Sequence, residues 1–146
     1  MKASDFFSSP QKTDIVNAIK RAELNTSGEI RVHVEMSCKG SVLDCAANIF
    51  AKLNMHKTEK RNGVLFYLSV ESKKFAVLGD VGINKVVPLD FWDSIKSAMQ
   101  EKFVQGNFAE GLVMGIEMAG EKLKANFPHQ ADDVNELPDD ISFGKH

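Results

Sequence analysis

The stretch RNGVLFYLSVESKKFAVLGDVGIN, Arg61 to Asn84, decides the fold. It holds two apolar runs, Val64–Leu68 and Phe75–Leu78, with the polar turn Glu71–Lys74 between them. A continuous apolar run bounded by turn residues is typical of a strand buried on both faces, and two such runs joined by a short turn indicate a β-hairpin. The sequence therefore predicts an antiparallel pair with Val64–Val70 as its central strand.

The chain before this hairpin predicts a helix, a strand and a second helix. Ser9-Pro10 is a helix-start signal, and the helix ends near Gly28. Apolar residues then alternate with polar ones from Glu29 to Met36, which indicates a strand with one buried face. His33 lies on the polar side of that alternation, where a solvated or cross-strand residue is expected rather than a ligand. A helix follows up to about Met55, so the strand–helix–strand order predicts a right-handed parallel crossover.

The chain after the hairpin predicts a loop over Val81–Val87 and two more helices. Pro88 can begin the third helix, and Gly106-Asn107 separates it from the fourth, which stops before Pro128. The expected fold class is α/β, with a small mixed sheet built from the parallel β-α-β crossover plus the antiparallel hairpin, and with four main helices against it.

Length and charge restrict the domain organisation and the partners. The 146 residues fit one domain, and we expect residues 1–128 to be folded and the acidic segment 129–146 to be a mobile tail, with Leu137, Ile141 and Phe143 as residues that could dock it loosely. The net charge of −2 and the pI near 6.1 argue against nucleic acid and anionic membranes as partners. No apolar run is long enough for a membrane span, and no secretory signal is seen, so a cytoplasmic monomer is expected. Cys38 and Cys45 do not form a disulfide framework and are expected to be reduced.

The predicted topology collects polar residues at one end of the sheet. Because the first two strands run parallel and the third runs antiparallel, their ends at Glu29, Asn62-Gly63 and Gly79-Asp80 meet; we name this end the loop pole. The residues gathered there are Glu29, Arg61, Asn62, Asp80, Asn84, Asp90 and Asp93.

Two chemistries compete at the loop pole, alongside a purely structural role for its turns. Carboxylates and amide carbonyls are hard oxygen donors that suit calcium or magnesium, so Glu29, Asn62, Asp80 and Asn84 are the predicted metal ligands. Arg61 could instead hold a phosphate, and Asp90 and Asp93 could support either group. A third alternative is an accessory module that docks on a protein partner and performs no catalysis.

Several other chemistries are excluded by the sequence. Gly79-x-x-Gly82 lacks the third glycine and the following helix of a dinucleotide-binding fingerprint, and there is no phosphate-binding Gly-x-x-x-x-Gly-Lys. No His/Cys cluster has the spacing of a zinc site.

The order of the motifs resembles the TPM domain family. The resemblance rests on Ser27-Gly-Glu-Ile30, Asn62-Gly-Val-Leu65, Gly79-x-x-Gly-Ile83 and Phe103-x-x-Gly-Asn-Phe-x-x-Gly-Leu112, and it spans about Phe6 to Phe127. It implies a three-layer α/β/α sandwich, divalent-metal binding near the loop end of the sheet, calcium especially, and a weak phosphatase activity.

The interpretation that joins these observations is a TPM-type domain that binds a divalent cation at the loop pole. The enzyme alternative is a metal-dependent phosphomonoester hydrolase, in which Asp80 or Glu29 positions metal or water and Arg61 holds phosphate.

Overall fold

A computed structural model describes residues 1–130 and 135–144, and shows a four-stranded mixed sheet between helices. In chain order the elements are α1 Ser9–Asn25, β1 Glu29–Glu35, α2 Val42–Lys52, β2 Gly63–Ser69, β3 Lys74–Gly79, α3 Val81–Asn84, α4 Asp93–Val104, α5 Phe108–Leu123 and β4 Ile141–Phe143. Single 3₁₀ turns lie at Ala3–Asp5 and Met55–Lys57. The predicted α/β/α sandwich, with four long helices, is confirmed.

The sheet has the strand order β3-β2-β1-β4. β1 and β2 are parallel, with Glu29 beside Gly63, and β2 and β3 are antiparallel, with Val64 beside Gly79. The crossover and the hairpin are therefore as predicted. Every residue of β2 is buried, as its unbroken apolar run indicated.

The fourth strand was not predicted. β4 pairs parallel with the free edge of β1, so the sheet continues into the segment that the sequence analysis set apart as a tail. Asp132 and Asp133 fall within 131–134, outside the described residues, as do residues 145–146. The mobility of the segment 129–146 stays a prediction.

The two faces of the sheet bury different helices. Ile30, Val32 and Val34 of β1 belong to the larger core, which also contains the apolar faces of α1, α4 and α5. The opposite face packs Leu65 and Tyr67 of β2 against α2 and Leu137. Successive residues of a strand point to opposite faces of the sheet. The place of a residue in this alternation therefore decides which helix layer its side chain contacts.

The expectation that β1 has one solvated face is wrong. Glu29, Arg31 and His33 are buried with exposures of 4, 9 and 4%, because helix α2 and the C-terminal segment lie on their side of the strand. His33 is a cross-strand residue, between Tyr67 of β2 and Ser142 of β4.

Three local expectations are also corrected. α1 has Ser8 rather than Ser9 as its N-cap, because the side chains of Ser8 and Gln11 form a reciprocal capping box. Within the predicted loop, Asp80 caps the short helix α3, and α4 begins at Asp93 instead of Pro88.

The cysteines form a disulfide, so the expectation of reduced thiols is wrong. The loop that leaves β1 turns back onto the start of α2, which brings the Cα atoms of Cys38 and Cys45 to 6.2 Å. That separation lies in the range that a disulfide spans without backbone movement.

Candidate metal-binding site

The loop pole forms as the strand registers require, but its polar residues divide into two separate groups. Arg61, Asp80 and Asn84 lie at the β2–β3 side. Glu29 and Asn62 lie at the β1–β2 side, where they line a cleft. The predicted ligands therefore do not form one ring.

Asp80 is engaged by its own neighbours. Its carboxylate accepts two hydrogen bonds from the Arg61 guanidinium, at 2.8 and 2.9 Å, and a third from the backbone N–H of Val81 at 2.7 Å. The Asp80 side chain is 5% exposed and that of Arg61 is 44% exposed. The pair fixes the residues before β2 to the start of α3, and the bidentate contact occupies the Nε–Nη2 edge of the guanidinium, one of the edges that a phosphate could use.

The other residues on this side have local roles or none. The Asn84 side-chain amide donates to the backbone carbonyl of Gly79 at 2.9 Å and so closes the turn after β3. Asp90 and Asp93 are exposed, and Asp93 lies at the start of α4, where a carboxylate suits the positive end of the helix.

The cleft on the β1–β2 side of the loop pole has a volume of about 480 Å³. We name it the acidic cleft. Its walls come from the end of α1, the start of β1, the loop before β2 and the C-terminal segment. The lining residues are Glu23, Thr26, Ser27, Gly28, Glu29, Glu59, Lys60, Asn62, His129, Gln130, Asn135 and Glu136.

Glu29 fixes the C-terminal segment to the acidic cleft. One oxygen of its carboxylate, Oε1, accepts the backbone N–H groups of Glu136 and Leu137, at 2.5 and 3.0 Å. Burial raises the pKa of Glu29, although those two hydrogen bonds act in the opposite direction. Glu136 and Asp139 add negative charge nearby and raise the pKa further.

Two oxygen atoms in the wall of the cleft are buried without a hydrogen-bond partner among the described residues. They are Asn62 Oδ1 and Ser27 Oγ. The amide nitrogen of Asn62 donates to the carbonyl of Ser27 at 3.0 Å, which fixes the plane of the side chain and leaves the oxygen unused. Buried polar atoms are nearly always paired, so two unpartnered oxygens in one wall mark a candidate position for a ligand.

Glu23 was missed by the sequence analysis. It lies near the end of α1 and accepts the backbone N–H of Ile30 at 3.2 Å. Burial, together with a hydrogen bond that the protonated Glu23 carboxyl donates to the side chain of Asp139, raises the pKa of Glu23 to about 9. On sequence alone it is one more polar residue at a helix end. Only the fold shows that it faces two other carboxylates.

The arrangement is an oxygen-rich site of mixed donors. Within 1–130 and 135–144, no group of three or more His, Cys, Asp or Glu residues is positioned to hold a metal. The available set combines carboxylates with an amide and a hydroxyl oxygen, which are donors for hard cations.

These features define an α/β/α sandwich with a carboxylate-lined cleft at the loop end of its sheet. The sequence profile of the TPM domain matches residues 1–122, so the chain belongs to the TPM domain family. Among proteins of curated function, none matches.

Solved structures agree with this assignment. The chain is 50% identical to the BA42 protein from the psychrophilic bacteria Bizionia argentinensis, determined by NMR, with a TM-score of 0.92 over 98% of this chain and 99% of that one. The N-terminal domain of a protein from P. gingivalis is 21% identical, with a TM-score of 0.70 over 87% and 83%. The N-terminal domain of the cg2496 protein from Corynebacterium glutamicum is 15% identical, with a TM-score of 0.61 over 97% and 82%. The last two show a shared fold alone.

No helix among the described residues is long and apolar enough to cross a bilayer.

Proposed function

We propose that the protein binds a divalent cation in the acidic cleft, with calcium preferred over magnesium. Glu29 and Asn62 are the residues of the predicted ligand set that we retain, and Glu23 and Ser27 join them. The observation that carries the proposal is the pair of buried, unpartnered oxygens of Asn62 and Ser27 beside the buried carboxylate of Glu29 and the half-buried carboxyl group of Glu23.

The protonation of carboxyl groups at the acidic cleft supports the proposal that a cation binds there. Glu23 hydrogen-bonds the side chain of Asp139, and the raised pKa of Glu23 keeps a proton on its carboxyl group. Crowded, buried carboxyl groups retain protons when no cation neutralises them. A divalent cation replaces that proton, and binding is therefore expected to release protons and to strengthen as pH rises.

The irregular donor set favours calcium. Calcium accepts ~6–8 oxygens in flexible geometry, whereas magnesium requires a nearly ideal octahedron. The cleft offers carboxylate, amide and hydroxyl oxygens from separate elements rather than from one compact loop. Its volume of about 480 Å³ also leaves room for bound water to complete the shell.

Asp80 and Asn84 serve as the comparison within the same pole. Their side-chain atoms already bond Arg61, Val81 and Gly79, and neither residue lines the acidic cleft. We therefore propose that cation binding does not depend on them.

The hydrolase alternative has weaker support than cation binding. It assigns phosphate to Arg61, whose Nε and Nη2 atoms both donate to Asp80. Hydrolysis of p-nitrophenyl phosphate, with and without added calcium or magnesium, tests this alternative directly.

The test of cation binding compares two isosteric substitutions by calorimetric titration of chelator-treated protein with calcium. Glu29→Gln keeps the acceptor for the amides of Glu136 and Leu137 but removes the charge, and should weaken binding at least about tenfold. Asp80→Asn changes a carboxylate at the same pole and should leave the affinity unchanged. Equal losses in the two variants, or no binding by the unaltered protein, would overturn the proposal. Buffers with different ionisation heats report the protons released.

A further inference from the structure

The strand β4 is held at the edge of the sheet by few backbone contacts. It spans three residues and pairs Ile141, Ser142 and Phe143 with Val32, His33 and Val34 of β1. One more backbone bond, from Gly144 N–H to the carbonyl of Val34 at 2.9 Å, closes its end. Side chains must therefore supply much of what keeps so short a strand in place.

His33 is at the centre of those side-chain contacts. Its Nδ1 lies 2.9 Å from Ser142 Oγ and its Nε2 lies 3.1 Å from Glu35 Oε1. The ring stacks on Tyr67, with centroids 6.0 Å apart, and the hydroxyl of Tyr67 donates to the other oxygen of Glu35. The imidazole thus joins three strands of the sheet and is 4% exposed.

We propose that His33 is a pH-sensitive latch for β4: protonation of the imidazole releases the strand from the edge of β1. The latch is separate from the proposed cation site, since none of its residues lines the acidic cleft.

The bonding pattern fits a neutral imidazole. Glu35 is an acceptor, so Nε2 carries the proton and donates to it, and Nδ1 is left to accept from the Ser142 hydroxyl. Protonation places a donor on Nδ1 as well. Ser142 must then reverse its hydroxyl, and the ring acquires a charge in a buried place.

The positive charges near His33 disfavour protonation of its imidazole. Arg31 follows the same face of β1 and is 9% exposed, and its Nε has no partner among the described residues. Lys52 of α2 also lies close enough to disfavour the charged ring. Glu35 favours it, but this carboxylate is shared with Tyr67, and Asp140 acts on Arg31. Burial is the largest influence and lowers the pKa of His33.

The direction in which docking of β4 changes with pH follows from the linkage between docking and proton binding by His33. When β4 leaves, the imidazole meets water and regains a pKa near its ordinary value of about 6.5. The docked state therefore holds fewer protons than the released state, and docking weakens as pH falls through that value. Between pH 7.5 and 5.5 the docking equilibrium should fall about tenfold.

Two carboxyl groups that interact with the C-terminal segment act in the opposite direction. The pKa values of Glu23 and Glu29 are raised in the folded chain, so their protonation favours the docked segment as pH falls. Loosening of β4 in mild acid therefore does not come from Glu23 or Glu29.

The experiment measures amide hydrogen exchange of the chelator-treated full chain at pH 7.5 and 5.5, as protection factors relative to the intrinsic rates. The amides of Ser142 and Gly144, which face β1, should lose about tenfold protection, and those of the central strand β2 should lose none. His33→Asn keeps an amide that can bond Ser142 but does not titrate, so protection of β4 should become independent of pH. His56→Asn, which alters an exposed histidine on the turn Met55–Lys57, is the matched control and should behave like the unaltered chain.

NMR titration of the imidazoles supplies a readout that needs no variant. The ring of His33 should titrate below the ordinary histidine value of about 6.5, and the amide shifts of Ser142 and Phe143 should move with the same midpoint as His33. Protection of β4 that is independent of pH in the unaltered chain would overturn the latch. A pH-dependent loss that persists in His33→Asn, or titration of His33 without movement of the β4 amides, would also overturn it.

Discussion

At the residue scale, the loop pole contains two buried carboxylates that the sequence cannot tell apart. Glu29 begins β1 and Asp80 directly follows β3 at the same end of the sheet, and each of them follows a glycine. The structure distinguishes them by their partners: Glu29 accepts backbone amides of the C-terminal segment, whereas Asp80 binds Arg61. Strand order could be predicted from the hydrophobic pattern, but the partner of a side chain depends on elements far away in sequence.

Asp80→Asn should lower the free energy of unfolding by about 1–3 kcal/mol, because the amide cannot accept both guanidinium bonds and Asp80 is buried. Urea denaturation measures the change. Asp90→Asn alters an exposed carboxylate of the same region and should shift the free energy by less than about 0.5 kcal/mol. Equal stability of the two variants would show that the Arg61–Asp80 pair contributes nothing.

Glu23 should make stability depend on pH. Its pKa is raised to about 9 in the folded chain, so the native state keeps a proton that the unfolded state releases above its ordinary, lower pKa. The free energy of unfolding should therefore decrease as pH rises from about 5 towards 9. Glu23→Gln mimics the protonated group and should flatten that decrease, whereas Glu101→Gln on the exposed side of α4 should not. Parallel curves for the unaltered chain and Glu23→Gln would contradict the assignment.

At the element scale, the loop before β2 crosses directly over α3. A Cβ atom on Gly82 would lie 2.1 Å from the carbonyl oxygen of Lys60 and 2.6 Å from that of Arg61. The Gly82 N–H donates to the Arg61 carbonyl at 2.9 Å, so the two segments cannot separate without losing that bond. The sequence suggested only a turn at this glycine; its close backbone neighbour comes from another part of the chain.

Gly82→Ala should destabilise the protein by about 1–3 kcal/mol, since backbone atoms must move to admit the methyl group. Thermal unfolding should show a lower midpoint than for the unaltered chain. Val81→Ala, in the same short helix, removes atoms from a residue that is 47% exposed and should have a much smaller effect. If the Gly82→Ala variant were as stable as Val81→Ala, the loop before β2 would not pass close to α3 at Gly82.

The disulfide ties the start of α2 to the loop after β1. A cross-link between residues seven apart should stabilise the chain by about 2–3 kcal/mol in the chain-entropy description. Urea denaturation with and without a reductant should show this loss, and Cys45→Ser should be insensitive to the reductant. Alkylation of both cysteines in unreduced, denatured protein would contradict the disulfide. Disulfides persist in oxidising compartments, so the bond between Cys38 and Cys45 argues against a cytoplasmic location. The compartment of the protein stays a prediction.

At the scale of the whole molecule, local sequence patterns predicted the α/β/α architecture but did not predict β4, the strand that completes the sheet. The apolar run of β2, the turn after it and the helical stripes specified three strands and four long helices in the right order. β4 has three residues, half-buried, within an acidic segment, and such a short strand has no periodic signal of its own. Its position depends on Glu29, His33 and other groups that become available only after β1 is in the sheet.

The docking of the C-terminal segment also explains why the candidate site differs from the one predicted. The acidic cleft needs Asn135 and Glu136 of the C-terminal segment as a wall, and that segment was assigned to a separate tail. The end of the sheet could be predicted from strand directions. The division of its residues between a cleft and an ion pair could not.

Calcium titration of chelator-treated protein, followed by amide NMR with magnesium for comparison, tests cation binding at the acidic cleft most directly. The account predicts saturable shifts at Ser27, Glu29 and Asn62 and in the side-chain amide of Asn62, with little change at Asp80 and Asn84. The absence of any saturable shift, or shifts centred on Asp80 and Asn84 while Glu29 and Asn62 stay unchanged, would contradict it.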